Sequence, residues 1–365
     1  MRWLTDETMD LTTLAHLVVL GLIGVVAVAS ATSARADSVA GAPAAKQLLY
    51  LALGVAVFLV VQRIGYRDWA DVWLLLYSAG LVLLILLLLV ARPIGGARSW
   101  FELGPLRLQP SEPMKAIVCL AVAAFLGSAT GKLDFPRLIK LGLLIGIPTL
   151  LVALQPDLGT ALTFIPLFLA AAWLAGIRAR VMVTLAVIAA LAAPVAWFVA
   201  LKPYQKERIL TVLDPERDPA GTGYQVLQSR IAVGSGGAFG KGLFRGSQSR
   251  LDFLPARETD FVLAVIAEET GFAGVLVVLG VYLSLLWRTL IAASMSQDHL
   301  GTFLCVGVAS LWAGQVFINA GMVTGVLPTI GVPLPVLSYG GSSVLATFLA
   351  FGLVSSVRSQ RLVNV

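Results

Sequence analysis

Residues 255–271 read PARETDFVLAVIAEETG. The apolar run FVLAVIA opens on Asp260 and closes on Glu268 and Glu269. In water, three acids at this spacing carry little information. In hydrocarbon, ionisable groups are costly and mark functional candidates by default, so the surrounding solvent decides the reading. The chain of 365 residues is 58% hydrophobic and only 13% charged, with a mean hydropathy of +0.90. Soluble domains carry about 25% charge. Apolar runs near the bilayer-spanning length of about 20 residues recur from end to end. The fold class is therefore an all-α polytopic membrane protein.

Ten transmembrane helices are predicted, near 11–31, 46–64, 72–91, 113–130, 136–154, 158–176, 180–201, 259–290, 299–324 and 338–357. They form a single integral membrane domain over 1–365, within which 202–258 is one long extracytoplasmic loop. The span 259–290 exceeds the hydrocarbon thickness and is expected to tilt or project. Pro148, Pro166 and Pro194 fall inside spans and should kink them.

Lys and Arg set the orientation. With the N-terminus inside, the inner segments hold eleven (Arg2, Arg63, Arg67, Lys132, Arg137, Lys140, Arg178, Arg180, Arg288, Arg358, Arg361) and the short outer segments six. The topology is N-in, C-in. The run 17–36 ends on Ala34-Arg35-Ala36, which has the look of a signal-peptidase site. Asp6, Glu7 and Asp10 outweigh Arg2 before it, so it reads as a retained first helix.

Only two cysteines and two histidines are present. No disulfide framework or zinc site is indicated, and any metal would be a hard cation held by carboxylates. In the long loop, GSGGAFGKG (234–242) fails the Walker spacing, with Ser235 at the first glycine position and Gly242 in place of Ser/Thr. No strand–turn–helix context is available either, so no nucleotide is expected. A basic, glycine-rich loop suits a large anionic ligand at the membrane surface, or is merely solvated.

Positions 260, 264 and 268 share a helix face, which places Asp260 and Glu268 about 12 Å apart along the axis. Capping offers a bland account of Asp157 in LQPDLGT, of Ser111 before Pro113, and of Asp260 after Thr259. It does not reach Glu268 and Glu269, which would serve as structural partners of a neighbouring cation. The segment 92–115, RPIGGARSWFELGPLRLQPSEPMK, sets Arg98, Trp100, Glu102, Arg107, Glu112 and Lys115 at the outer interface, where Trp is often an anchor and Arg a snorkelling side chain.

Five stretches in order across about 250 residues resemble the SEDS family (shape, elongation, division, sporulation), the polytopic peptidoglycan polymerases: GARSWFELGPLRLQPSEPMK, QPDLGTA, the loop KERILTVLDPERDPAGTGYQVLQSRIAVGSGGAFGKG, ETDFVLAVIAEETG, and NAGMVTGVLPTIGVPLPVLSYGGSS. The last is the most specific. The short tails look more like the RodA branch than the FtsW branch. Pro113 inside QPSEPMK is a departure that bears on helix geometry more than on chemistry.

The resemblance implies a peptidoglycan glycosyltransferase that polymerises lipid II in cell elongation. Asp260 matches the TDF aspartate and is the catalytic expectation. Arg98, Trp100, Glu112, Lys115, Asp157 and Arg208 match motif positions expected to bind substrate. Glu268 and Glu269, with Ser338, Tyr339 and Gly340, are expected to hold or shape the cavity. An acceptor 4-hydroxyl needs a base, and a departing lipid pyrophosphate needs positive charge from Arg, Lys or a divalent cation, magnesium or manganese. The implied partners are lipid II, a class B penicillin-binding protein and membrane lipid, with no nucleic acid. The implied location is the bacterial cytoplasmic membrane with an extracytoplasmic active site. A lipid II flippase, or a non-catalytic scaffold for a penicillin-binding protein, is the competing reading.

Overall fold

The structure is a computed structural model that describes residues 10–33, 42–92, 98–103, 106–128, 133–199, 201–218 and 221–360. The Ala34-Arg35-Ala36 site and the charge positions Arg2, Asp6, Glu7, Lys132 and Arg361 lie outside the described residues.

The elements in chain order are α1 (Leu11–Thr32), α2 (Ala42–Ile64), α3 (Tyr66–Asp71), α4 (Trp73–Val90), β1 (Phe101–Leu103), β2 (Leu106–Leu108), α5 (Ser111–Gly127) and α6 (Phe135–Leu154). Then follow α7 (Leu158–Leu162), α8 (Phe164–Leu174), α9 (Ala179–Val199), α10 (Pro203–Leu213), α11 (Thr222–Ser235), α12 (Ser247–Arg250), α13 (Val262–Ser294), α14 (His299–Val323) and α15 (Gly341–Gln360). Among the described residues, eight helices are long and apolar enough to cross a membrane. The 17-residue α5 and the broken pair α7–α8 fill the two remaining expected spans. The protein is a polytopic helical membrane protein, and each expected span coincides with a helix to within a few residues, except 158–176, which is divided between α7 and α8.

The bundle centre is built from α5, α14 and α15. Small residues let these helices approach closely, as packing in lipid requires: Ala116, Ala121 and Ala123 on α5, and Ala346, Ala350, Ser355 and Ser356 on α15, are all buried. By contrast α9 has no buried residue and lies at the periphery.

One end of the bundle is fastened by charge. Asp10 caps α1 and pairs with Arg288 of α13 at 3.2 Å and Arg358 of α15 at 3.5 Å. Nearby, Asp298 caps α14 and takes Arg67 at 3.0 Å and the Tyr66 hydroxyl at 2.9 Å.

Helix breaks shape the opposite end. Proline lacks an N–H and its ring opposes the carbonyl four residues back; for Pro166 that residue is Leu162, where α7 stops. Pro148 and Pro194 lie inside helices that run on without interruption. The long α13 is broken, where a tilt or projection was expected: Gly271 has φ 69° and ψ −168° inside it. The glycine stretch 236–242 is docked into the break. Lys241 and Gly242 N–H groups donate to the Glu268 and Glu269 carbonyls at 3.0 and 2.9 Å, while Phe272 and Ala273 N–H groups donate to Gly237 and Ala238 at 2.9 and 3.0 Å. Near hydrocarbon every backbone group needs such a partner. A Cβ on Gly240 would overlap the Glu269 carbonyl, and one on Gly271 would overlap the Gly240 amide. Gly240 and Gly271 are there for close backbone approach.

Candidate active site

Asp260 sits in a tight turn just ahead of α13, which begins at Val262, so it is neither a helix cap nor on a helix face shared with Glu268. The turn is fixed from several sides. Ala256, with φ 50°, presents one carbonyl to the N–H groups of Thr259, Asp260 and Phe261 at 3.1, 3.0 and 3.2 Å. The carbonyls of Glu258, Thr259 and Asp260 are each taken from outside. Tyr339 N–H donates to Glu258 at 2.8 Å, the Ser338 hydroxyl to Thr259 at 2.5 Å, and the Asn319 amide to Asp260 at 2.8 Å. The same Asn319 nitrogen donates to the Val332 carbonyl at 2.7 Å. Arg257, fully buried, pairs with Asp252 and donates from Nε to the Ala31 carbonyl at the end of α1. With its main chain this constrained, Asp260 has little freedom except in its side chain.

That side chain lines a cavity of about 690 Å³. Asp157 lines it too, and the structure gives it two roles. Its Oδ1 caps α7 by accepting the Thr160 N–H at 3.1 Å, and its Oδ2 accepts from the Gln109 amide at 2.9 Å. Arg208 reaches the same cavity from α10, its guanidinium 5.7 Å from the Tyr204 ring. Trp100, Tyr339 and Gly340 complete the set that sequence reasoning named and that the fold brings together. Enclosure in the cavity wall, and then the negative charge of Asp157, push the Asp260 carboxyl up to about 6, against the pull of Arg208. Burial also raises Asp157, while the Thr160 amide draws it down.

The other expected residues lie elsewhere. Glu112 and Lys115 form a buried ion pair at 2.9 Å, with Lys115 also bonded to Gln315 at 2.9 Å and 5.8 Å from the Trp312 ring. Neither lines the cavity. Ser111 is no cap: Pro110 holds that position, and the Ser111 hydroxyl is buried without a partner. Arg98 is exposed and donates to the Leu88 carbonyl at 3.2 Å. Glu102 and Arg107 face each other across the β1–β2 hairpin at 3.4 Å. Glu268 binds Lys241 at 2.7 Å and the Ser247 N–H at 2.8 Å, and Glu269 accepts from the Ser30 hydroxyl. Both glutamates hold the loop and α1 to α13 and lie off the cavity lining, which corrects the cavity-floor alternative.

Sequence reasoning missed Asn319, Gln109, Tyr204 and Gly331. Asn319 carried a signal, being an amide near the end of an apolar span. Gly331 carried none, although a Cβ there would lie 3.4 Å from Asp260 Oδ2 and its φ is +72°.

The sequence model of the FtsW/RodA/SpoVE family, described as cell cycle protein, matches residues 7–362. The chain belongs to that family. Among its curated relatives, the peptidoglycan glycosyltransferase MrdB of Escherichia coli K12 is 40% identical over 317 residues, covering 85% of this chain and 84% of that protein. A probable peptidoglycan glycosyltransferase FtsW of Geobacter metallireducens is 38% identical, covering 97% and 96%. Among solved structures, RodA of Thermus thermophilus superposes with a TM-score of 0.71 at 30% identity, covering 99% of each chain. A chain from a peptidoglycan synthase complex that coordinates polymerization and crosslinking gives a TM-score of 0.80 at 37% identity, covering 97% and 98%. This family, the SEDS family of the sequence analysis, thus includes relatives named for both the RodA and the FtsW branches.

Proposed function

We propose that this chain is a peptidoglycan glycosyltransferase that polymerises lipid II at the outer face of the bacterial cytoplasmic membrane, working with a class B penicillin-binding protein. One observation carries the reading. Segments far apart in sequence deliver Trp100, Asp157, Arg208 and Asp260 to a single cavity at the end of the bundle away from the Asp10 charge cluster.

The chemistry follows from those groups. Deprotonated Asp260 accepts the proton of the acceptor sugar 4-hydroxyl. That oxygen bonds to the anomeric carbon of the donor sugar as the bond from that carbon to the pyrophosphate oxygen breaks. Arg208 meets the negative charge that develops on the departing lipid pyrophosphate. Asp260 lies eleven residues ahead of the break at Gly271, beyond the part of α13 that crosses hydrocarbon. A base there meets sugars in the wet layer while the substrate's lipid tail stays in the bilayer. Among the described residues no group of three or more His, Cys, Asp or Glu is placed to hold a metal ion. The carboxylates on the cavity wall are Asp157, Glu207, Asp218 and Asp260, and a magnesium or manganese ion carried in on the substrate pyrophosphate would face them. Assays with and without EDTA test that role.

The breaks in α13 and between α7 and α8 also suit a lipid II flippase, since transporters build sites from discontinuous helices. Purified protein incubated with lipid II in detergent separates the two, because flipping needs two leaflets. Glycan strands from wild type and none from Asp260→Asn support the enzyme. No polymer from wild type, with partner and divalent cation present, overturns it.

A further inference from the structure

The glycine stretch 236–242 belongs to a loop that the charge pattern places in water, yet its surroundings are those of a span. The depth can be counted along α13. Arg288 pairs with Asp10 and marks one boundary of the bundle. Gly271 lies seventeen residues before it, and at 1.5 Å per residue that is about 26 Å. The hydrocarbon core is about 30 Å thick. An independent count on α1 agrees: Ser30, bonded to Glu269, stands twenty residues above Asp10, or about 30 Å. The break in α13, and the loop bonded into it, therefore sit at the far edge of the hydrocarbon.

The side chains at this level are apolar and uncovered. Phe239 at the loop tip is 85% exposed and Phe272 just past the break is 63% exposed, with Leu243 and Phe244 also exposed. The one cation of the glycine stretch, Lys241, is turned inward onto buried Glu268. Leu243 completes the wall of a groove of about 430 Å³ between α1 and α13, lined by Leu22, Ile23, Val26, Ile266 and Val277. The groove is thus continuous with the outward faces of two membrane-crossing helices.

We infer that residues 236–244 form a re-entrant wedge in the outer leaflet, with Phe239 among lipid chains at the headgroup boundary and a lipid chain lying in the α1–α13 groove. Backbone at membrane depth is tolerated when its polar groups are bonded to protein; here four bonds cross the Gly271 break, and the Gly240 and Arg245 N–H groups donate to the Gly236 and Gly242 carbonyls at 2.8 and 3.1 Å. Aromatic side chains at that level anchor elements to the interface. The wedge would fix the height of the Asp260 turn over the membrane. It does not depend on the reaction assigned above.

The test uses the full chain in lipid nanodiscs without its partner. Cysteine is introduced at Phe239, at Leu276 as a span control and at Glu216 as a solvent control, and each is labelled with an environment-sensitive dye. Cys119 and Cys305 are buried, and mock-labelled wild type measures their background. Position 239 is expected to behave as 276 does, with blue-shifted emission, strong quenching by doxyl-labelled lipid and protection from iodide. Behaviour like 216 would overturn the wedge. Because Phe239 packs against little, folding is expected to survive; Leu243→Cys provides the same readout at a second site if it does not. Loss of lipid quenching at 239 on adding the partner transpeptidase would identify a protein-docking face and overturn the lipid assignment.

Discussion

At the scale of single residues, Asp260 carries the sharpest expectations. Asp260→Asn keeps the volume and the backbone clamp, so the protein should express normally and bind its partner. Losing a positioned base costs about 10²- to 10⁴-fold in rate, read as glycan made from lipid II. The raised carboxyl gives a pH dependence. A base works deprotonated, so polymerisation should hold above pH 6 and fall as pH drops through about 6. The linkage has the opposite sign to that of a salt-bridged acid. A carboxyl whose folded pKa is raised binds protons more tightly in the folded state, so its ionisation weakens the fold as pH rises. Asp260→Asn should therefore melt no lower than wild type at pH 7.5. Asn319→Leu should behave differently. It strips the donor from the Asp260 and Val332 carbonyls, each costing about 1–3 kcal/mol when buried unpaired. It should lower both melting temperature and kcat with little change in KM.

At the scale of elements, the α13 break and the glycine stretch form one unit. Gly271→Ala places a side chain at φ +69° and against the Gly240 amide. With ψ at −168° the position lies in a region open essentially to glycine alone, which costs another residue about 1–3 kcal/mol, and the overlap adds to it. The variant should melt lower and lose protection from proteolysis at 236–248. Glu268→Ala is the milder cut, since it removes the acceptor of Lys241, Ser247 and Gln248 but leaves the backbone bonds. It should loosen 245–250 to protease while Gly236–Gly242 stays protected. A uniform response of both regions would show that the side chain, rather than the backbone exchange, holds the loop.

At the scale of the whole molecule, orientation and partnership are the quantities to measure. A reporter within 215–250 should be extracytoplasmic and one at the C-terminus cytoplasmic; the same side for both refutes the N-in, C-in arrangement. The long segment 202–258 forms one wall of the cavity through Tyr204 and Arg208 and is tied to α13 by Glu268. A partner that orders this wall completes the site. Polymerisation by the pair should exceed that of the isolated chain at equal concentration, and equal rates would remove the regulatory role.

The membrane class, the ten spans and the family were legible in the sequence. Hydrophobic length is a local, additive property, and the five motifs are local strings. Asp260, Asp157, Trp100 and Arg208 were legible for the same reason. Placement was not. Lys115 and Arg98 are as basic as Arg208, yet one is buried against Glu112 and Gln315 and the other bonds the Leu88 carbonyl. The pattern 260–264–268 suggested a shared helix face, and a turn stabilised by Ala256, Ser338, Tyr339 and Asn319 removed it. The glycines of 236–242 fail the spacing of a phosphate loop and carry no other local signal, and they are the partner of a broken helix. Composition determines which solvent each segment requires. Which polar groups meet depends on backbone hydrogen bonds between segments tens to hundreds of residues apart, and only the tertiary structure decides those.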